Sequence, residues 1–331
     1  MTKDNASTVR DHGGNLDAAI ETYGGAFNEW IDLSTGINPT PYPVPPISLD
    51  AWSALPRKSD MARLNIVAAK AYGTDATPIA FAGAQGAIQV IPFLTRPQTA
   101  RVLTPTYNEH AASLTANGWN VENVATLKDL LGADLAVVVN PNNPDGGRYA
   151  PQTLIELARQ VGLLIIDESF ADPEPELSAA PLIKDTTENV VVLRSFGKFY
   201  GLAGLRLGFV LTGARLRARL ADLAGPWPIA GPAIEIAQTA LADTSWQSKT
   251  IERLDRDAQH LDKIAAACDW SLVGGTPLFR TYATANASAA QDRLARHHIW
   301  SRIFPYSQSW IRLGLPGSAK ELERIDVALR D

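Results

Sequence analysis

The chain has 331 residues, of which 46% are hydrophobic and 20% are charged, and its formal net charge is −5. This composition is ordinary for a globular protein, and the length is sufficient for one large domain and a smaller one. The acidic balance argues against a nucleic-acid-binding surface, which needs an excess of Lys and Arg on one face.

The cysteine content and the hydropathy pattern bear on the location of the protein. A single cysteine, Cys268, cannot form an internal disulfide, which fits a reducing cytoplasm. Residues 1–14 contain no apolar run that could act as a signal peptide. No stretch reaches the ~18 consecutive apolar residues that a membrane helix needs. We therefore expect a soluble cytoplasmic protein with neither a membrane nor a nucleic-acid partner, and with no metal site. A small anionic substrate remains compatible with the net charge.

In chain order, the first ~50 residues are rich in Gly, Pro and Asn and predict an extended arm with loops. Met61–Tyr72 has a helical pattern that stops at Gly73, and a second helix is expected near Gln85. Four short apolar runs then predict buried strands of a mainly parallel sheet at 100–103, 135–139, 163–166 and 190–193. Helices are predicted at 107–117, 151–161 and 213–224.

After Pro226, the pattern changes to long helices and then to a smaller α+β unit. Long helices are expected at 229–243 and 247–268. Strands near 278–283 and 310–314 and helices near 288–297 and 318–329 follow. The alternation of strands and helices predicts an α/β fold with a mainly parallel, seven-stranded type of sheet. We predict an N-terminal arm (1–45) that contributes to the small domain and the substrate site, a large domain (46–226) and a small C-terminal domain (227–331).

Polar residues follow three of the predicted strands, at the sheet edge where parallel sheets bind ligands. These residues include the Asn-rich loop 140–143, Asp167, and the segment 194–208 with Ser195, Lys198 and Arg206. Pyridoxal 5′-phosphate (PLP) needs such a set: an amine to form an imine and a carboxylate to keep the pyridine nitrogen protonated. Its phosphate needs Ser and Arg donors and a helix N-terminus. Its ring needs an amide donor and an aromatic neighbour.

These motifs resemble those of fold-type I PLP enzymes of the class I/II aminotransferase group, and the resemblance covers essentially the whole chain. The segment 195–208, SFGKFYGLAGLRLG, resembles the lysine motif of the family. The resemblance implies that Lys198 is the Schiff-base lysine and that Ser195 and Arg206 bind the cofactor phosphate. The segment 140–144, NPNNP, is similar to a second family motif and implies that Asn143 contacts the phenolic oxygen.

Six more positions match the family pattern. Asp167 would pair with the pyridine nitrogen, and Tyr107 would stack on the ring. The backbone N–H groups of Gly83, Ala84 and Gln85 would hold phosphate, and Arg312 would bind the substrate α-carboxylate as a bidentate pair. Each residue also has an ordinary alternative. These are a solvated lysine for Lys198, a turn cap for Asp167, simple packing for Tyr107, a first-turn helix residue for Gln85 and a surface ion pair for Arg312.

Three further segments narrow the resemblance to one branch of the family. They are HGGN at 12–15, DLSTGINP at 32–39 and PWPIAGPA at 226–233, and they resemble segments of the threonine-phosphate decarboxylases of cobalamin biosynthesis. The resemblance implies decarboxylation of L-threonine O-3-phosphate to (R)-1-aminopropan-2-yl phosphate. Histidinol-phosphate aminotransferases, on the same scaffold, are the alternative. Both activities require a second anion site for a small phosphorylated substrate.

We hypothesise that the substrate-binding residues include His12, Ser34, Thr35, Gly36 and Arg302, together with the Asn143 and Arg312 side chains named above. Arg302 is expected on a strand that adjoins the strand of Arg312. The ordinary alternatives are a solvated arginine at 302 and a loop histidine with only a local hydrogen bond at 12.

The chain departs from the family pattern at two positions. Phe170 stands where many aminotransferases have Tyr, and Phe is also found there in decarboxylase relatives. Leu55 stands where many members have the Tyr that reaches the PLP phosphate of the neighbouring subunit. A homodimer is still expected from the family. A PLP-binding transcription regulator is disfavoured because ~50 residues leave no room for a helix-turn-helix domain. A catalytically inactive scaffold is disfavoured because Lys198, Asp167 and Asn143 are all present.

Overall fold

A computed structural model describes residues 12–331, and the first eleven residues of the predicted arm lie outside this part. The α-helices are α1 (Leu16–Tyr23), α2 (Leu49–Ser53), α3 (Lys58–Tyr72), α4 (Gly83–Val90), α5 (Glu109–Ala116), α6 (Pro151–Ala158), α7 (Phe196–Phe199), α8 (Ala214–Ala224), α9 (Gly231–Ala242), α10 (Thr244–Ala266), α11 (Ala287–Arg296) and α12 (Ala319–Arg330). The strands are β1 (Ile31–Asp32), β2 (Ile79–Ala82), β3 (Thr99–Leu103), β4 (Asn120–Val124), β5 (Leu135–Val139), β6 (Leu163–Asp167), β7 (Val190–Ser195), β8 (Leu207–Thr212), β9 (Ser271–Thr276), β10 (Phe279–Ala283), β11 (Ile299–Trp300), β12 (Arg302–Phe304) and β13 (Ser307–Gly314).

A seven-stranded sheet in the order β2-β8-β7-β6-β5-β3-β4 forms the centre of the larger unit. β8 is antiparallel to both of its neighbours, and the other six strands run in one direction. Every residue of β5 and β6 is buried, as expected for parallel strands that are covered on both faces. The predicted α/β class with a mainly parallel sheet is confirmed.

The four apolar runs form β3, β5, β6 and β7, within one or two residues of the predicted bounds. Three strands of this sheet were not predicted. β4 is an edge strand whose sequence, NVENV, is half polar and mostly exposed or half-buried. β2 ends directly before the motif at 83–85, and β8 begins within the motif at 195–208. Their short apolar stretches were assigned to these motifs and were therefore not predicted as strands.

All the predicted helices are present, with shifted ends. α4 begins at Gly83 rather than near Gln85, and α5 begins at Glu109 rather than at 107. The two long helices meet at Asp243, which ends α9 and caps α10 by accepting a hydrogen bond from the Trp246 N–H. A side-chain oxygen at this position satisfies a first-turn donor of the new helix, so one residue separates the two helices.

The smaller unit contains the antiparallel sheet β12-β13-β10-β9 with α10, α11 and α12 beside it. β1, from the N-terminal arm, pairs in parallel with β11 and so runs beside this unit. The boundaries at residues 45 and 226 stay a prediction. Within residues 12–331, no helix combines the length and apolar character that crossing a bilayer requires.

Candidate active site

The carboxyl edge of the large sheet brings together residues that are distant in sequence. Asp167 is the last residue of β6, Ser195 is the last residue of β7, and Asn143 follows β5, and these three strands are neighbours. Because β8 is antiparallel, its first residues lie beside the end of β7, as the Ser195–Gly208 register shows. Arg206, which immediately precedes β8, therefore lies at the same edge.

A cavity of about 360 Å³ opens at this edge, between the large sheet, the arm and the β12–β13 hairpin. It is lined by all the residues predicted for the site except Gly36, namely His12, Ser34, Thr35, Gly83, Ala84, Gln85, Tyr107, Asn143, Asp167, Ser195, Lys198, Arg206, Arg302 and Arg312. Gly36 is buried behind this wall, where a Cβ would lie 2.8 Å from the Phe170 ring and 3.0 Å from the Phe279 ring. The absence of a side chain at Gly36 therefore makes room for the two rings. The roles of the lining residues stay predictions.

Lys198 lies on the short helix α7, directly after β7, and is half-buried. Burial lowers its pKa to about 8, and the nearby guanidinium groups of Arg312 and Arg206 add to this effect, against the opposing charge of Asp167. Its amine lies 5.6 Å from the centre of the Phe170 ring, so an aromatic wall stands beside it. An amine with a lowered pKa is more often neutral near pH 7 and is therefore a better nucleophile.

Asp167 is buried and accepts hydrogen bonds at both of its oxygens. Oδ1 accepts from the Ser169 N–H at 2.9 Å and from the Ser169 hydroxyl at 2.5 Å, and Oδ2 lies 2.7 Å from Nε2 of His110. Burial alone would raise the pKa of Asp167, but the hydrogen bonds and the charge of His110 and the bonds of Ser169 lower it below its ordinary value. The carboxylate is therefore ionised, and His110 donates to it. His110 was not among the predicted site residues, although its position three residues after Tyr107 indicated that it could lie near the site.

The N-terminus of α4 lies directly against β8, beside Arg206, because two positions have no side chain. Gly83 has a φ of +74°, and a Cβ there would lie 2.8 Å from Nη2 of Arg206. At Gly208, a Cβ would lie 2.4 Å from the Ala84 nitrogen. No side chain caps α4, so its first-turn N–H groups are donors for an anion beside the Arg206 guanidinium.

Tyr107 is tied to a chain of polar groups at one side of the cavity. Its hydroxyl donates to Oε1 of Gln85 at 3.3 Å, and Nε2 of Gln85 donates to the Glu109 carboxylate at 2.9 Å. Burial raises the pKa of Tyr107 to about 12, with further contributions from the negative charges of Glu109 and Asp167. The hydroxyl therefore stays protonated at neutral pH.

Arg312 is buried on β13 and is fixed by groups from two other segments. Its Nη1 donates to Oδ1 of Asn143 at 2.5 Å, and its Nη2 donates to the Ser34 carbonyl at 2.5 Å. These bonds leave the amide NH₂ of Asn143 as a donor for a ligand. Arg302 stands directly opposite Arg312 in the β12–β13 ladder, so the predicted adjoining strand is present.

The Ser34 hydroxyl is already engaged within the arm. It donates to the Asp32 carboxylate at 2.6 Å and accepts from the Gly14 N–H at 2.7 Å. These bonds position the segment from His12 to Gly14 at the cavity wall.

A buried ion-pair network supports the strand ends behind the cavity. Arg194 of β7 donates to Glu168 at 2.9 Å and to Asp172 at 2.8 Å, and its guanidinium lies 4.6 Å from the centre of the Tyr72 ring. Glu168 also accepts from the Ala179 N–H at 2.6 Å. Because Glu168 follows Asp167 and Arg194 precedes Ser195, the network fixes the two strand ends relative to each other.

Known protein families provide an independent comparison. The family model for aminotransferase class I and II matches residues 61–329. This chain belongs to that family. It is 40% identical to a threonine-phosphate decarboxylase from Sinorhizobium sp and 39% identical to one from Pseudomonas aeruginosa, in each case over 96% of this chain and 97% of the relative. Among solved structures, it is similar to histidinol-phosphate aminotransferase from Sinorhizobium meliloti in complex with pyridoxal-5′-phosphate. That match has a TM-score of 0.81 at 19% identity and covers 99% of this chain and 97% of that chain.

Family membership implies PLP as the cofactor, and the donors of the cavity fit its functional groups. A phosphate fits the space between the α4 N-terminus, Arg206 and the Ser195 hydroxyl. A Cβ at Gly83 would fill part of this space. The ionised carboxylate of Asp167 matches a protonated pyridine nitrogen, and Asn143 offers N–H donors for a phenolic oxygen. Lys198 supplies the amine.

Proposed function

We propose that this protein is a PLP-dependent decarboxylase that converts L-threonine O-3-phosphate to (R)-1-aminopropan-2-yl phosphate and carbon dioxide. The names of the relatives that are about 40% identical over nearly their whole length support this substrate. The three segments HGGN, DLSTGINP and PWPIAGPA support the same branch of the family.

One structural observation supports the substrate class most directly: the opposed pair of Arg302 and Arg312. The two residues are Cα partners on antiparallel strands, and both line the cavity. Like charges directly opposite each other in a sheet are destabilising. A ligand that carries two anionic groups would offset this repulsion, and a phosphorylated amino acid has a carboxylate and a phosphate.

The lining residues then have complementary roles. PLP, when bound, supplies an aldehyde that attaches an amine and a ring that accepts an electron pair. Lys198 supplies the amine that holds the cofactor before the substrate arrives, and Asp167 keeps the ring nitrogen protonated. Gly83, Ala84, Gln85, Ser195 and Arg206 bind the cofactor phosphate, whereas Asn143 and Tyr107 hold the ring.

The substrate groups are bound on the opposite wall. Arg312 binds the α-carboxylate, and His12, Thr35 and Arg302 form the second anion site, with Gly36 behind them; the Ser34 hydroxyl, which donates to Asp32, holds the arm in place. The position of these anion sites decides which bond at the substrate Cα is broken. After carbon dioxide has left, the Cα needs one proton, and the Lys198 amine is the group placed to deliver it.

We further propose a cytoplasmic homodimer that acts in cobalamin biosynthesis. Leu49, Trp52, Leu55 and Ile66 are large apolar residues that are exposed, each by more than 60%. They belong to α2, the segment after it, and α3, and both helices pack against α9. Large apolar side chains exposed on two helices that pack against the same third helix are typical of a protein–protein interface, and we propose a second copy of the chain as its occupant. Sedimentation of the holoenzyme should give twice the mass of one chain.

The decisive experiment incubates the PLP-loaded enzyme with L-threonine O-3-phosphate in the absence of any oxo acid. Release of carbon dioxide and of aminopropanol phosphate in equal amounts, over many turnovers, would support the decarboxylase. The contrary outcome is no release, together with conversion of the PLP absorbance to that of the pyridoxamine form by histidinol phosphate or glutamate. That outcome would establish an aminotransferase on the same scaffold.

Arg302→Ala tests the second anion site. It should raise KM for the phosphorylated substrate far more than it lowers PLP occupancy. A KM that is unchanged within error would remove Arg302 from the site.

A further inference from the structure

Glu109 is a buried carboxylate that the proposed chemistry does not use. It is the first residue of α5, it is 4% exposed, and it is not among the residues that line the cavity. Its Oε1 lies 3.0 Å from Nε2 of His12, in the N-terminal arm. Its Oε2 accepts from Nε2 of Gln85, in α4, at 2.9 Å. One side chain thus joins three segments of the cavity wall.

We propose that Glu109 is a positioning residue that sets the orientation of the His12 and Gln85 side chains and, through Gln85, of the Tyr107 hydroxyl. Because Nε2 of Gln85 donates to Glu109, its Oε1 faces the Tyr107 hydroxyl and accepts from it. The Tyr107 ring, which is half-buried in the wall, is thereby held at one end. The part of this proposal that concerns substrate binding by His12 depends on the proposed function, whereas the part that concerns Tyr107 does not.

A carboxylate can carry out this task, and its amide counterpart cannot. Ionised Glu accepts at both oxygens, whereas Gln offers one acceptor and one NH₂ donor. At position 109, Gln would therefore keep only one acceptor and would lose the negative charge that lies 3.0 Å from Nε2 of His12. If its NH₂ group met Nε2 of Gln85, the Gln85 amide would have to turn over. It would then present a donor to the Tyr107 hydroxyl.

A plainer role for Glu109 is to interact with the positive end of the α5 dipole, as acidic residues in a first turn often do. That interaction does not require burial or partners in two other segments. It also predicts that only stability, and not the ligand geometry, changes when the charge is removed.

The experiment compares Glu109→Gln with Ser113→Ala in the PLP-loaded enzyme. Ser113 lies on the same helix, and its buried hydroxyl donates to the Ile88 carbonyl of α4 at 3.1 Å. It is therefore a matched control for the packing of α5 against α4, without a contact to His12 or Gln85. Circular dichroism of the bound cofactor in the visible range reports ring orientation without any substrate. Glu109→Gln should lower this signal, and Ser113→Ala should leave it as in the wild type.

Steady-state kinetics provide the second readout. Glu109→Gln should raise KM for L-threonine O-3-phosphate about tenfold, as expected when the carboxylate charge beside His12 is lost, and should change kcat less. The double variant His12→Gln/Glu109→Gln should be no worse than the more impaired single variant, because the two residues act as a pair. If KM of the double variant instead rises by the product of the two single-variant factors, the coupling of His12 to Glu109 would be overturned.

The remaining outcomes are also distinct. A cofactor signal and a KM that both stay within twofold of the wild type in Glu109→Gln would overturn the proposal. Equal changes in Ser113→Ala would assign the effect to helix packing and would overturn it as well. If the wild-type enzyme does not turn over the substrate, the proposed function fails, and the circular dichroism comparison still tests the role toward Tyr107.

Discussion

Arg312→Met should raise the pKa of the Lys198 amine and slow covalent capture of PLP by the apo-enzyme near neutral pH. Burial, Arg312 and Arg206 together lower this pKa from 10.5 to about 8. At pH 7, an amine with a pKa of about 8 is neutral in roughly one molecule in ten, compared with about one in 3,000 for an ordinary lysine. Removal of the Arg312 charge should raise the pKa of Lys198 part of the way toward its ordinary value, because burial and Arg206 still lower it.

The direction of the pH dependence follows from the same numbers. Only the neutral amine attacks, so the capture rate should rise with pH and level off above a midpoint of about 8 in the wild type. In Arg312→Met, the midpoint should lie at higher pH, and the rate at pH 7 should fall by about the same factor as the neutral fraction. Stopped-flow absorbance of PLP binding across pH 6–10.5 measures both.

Arg312→Lys is the matched control, because it keeps a cation near Lys198 but loses the bidentate geometry. Its midpoint should stay near that of the wild type. If the midpoint of Arg312→Met is also unchanged, then Arg312 does not perturb the lysine, and the electrostatic argument for the pocket is wrong. A midpoint that shifts equally in both variants would attribute the effect to altered packing rather than to charge.

The other expectations concern the groups around this amine. His110→Leu removes a 2.7 Å hydrogen bond to the buried carboxylate, so the pKa of that carboxylate should rise. The acidic limb of the kcat/KM profile should then move to higher pH, with a loss of about tenfold or more in kcat/KM. Gly83→Ala places a Cβ 2.8 Å from a guanidinium nitrogen at a φ of +74°, and backbone strain of ~1–3 kcal/mol should weaken PLP binding about tenfold in equilibrium dialysis. Gly204→Ala, whose Cβ would meet no atom within 4 Å, should bind PLP as the wild type does. Arg194→Met leaves the buried Glu168 carboxylate without its ion-pair partner and should lower the free energy of unfolding in urea by about 3–5 kcal/mol. A loss below ~1 kcal/mol would show that the network contributes little.

The sequence was sufficient to predict the centre of the fold because the central strands are apolar on both faces. β5 and β6 are unbroken runs of Leu, Ile, Val and Ala up to a terminal polar residue, and such runs mark both the strand and the edge where its ligands bind. Asp167 could therefore be assigned to the edge of the sheet from its position alone. β4 carries no such signal because it is an exposed edge strand in which three of the five residues are polar.

The polar contacts behind the lining residues could not be predicted, because they depend on the packing of helices. His110 and Glu109 are adjacent in sequence, yet His110 contacts a strand end and Glu109 contacts α4 and the arm. The periodicity of α5 shows only that one of its faces is buried. Which polar group each side chain meets depends on the angle at which α5 lies on the sheet. The opposition of Arg302 and Arg312 likewise depends on the strand register, and a shift of one residue would have turned one guanidinium to the other face.

The charges of the cavity also bear on the two roles that we propose for Lys198. Three arginines, Arg206, Arg302 and Arg312, line the cavity around Lys198 in a chain of net charge −5, and Asp167 is the acidic residue among the lining residues that the structure describes. Before ligands bind, burial and the guanidinium groups raise the neutral fraction of the amine, which suits a nucleophile. A phosphate beside Arg206 and a carboxylate beside Arg312 would neutralise those same charges and remove part of what lowers the pKa of the amine. The bound anions would thus favour the protonated form at the stage when a proton has to be delivered to the substrate. This change in the protonation equilibrium follows from the ligand charges and requires no movement of the protein backbone.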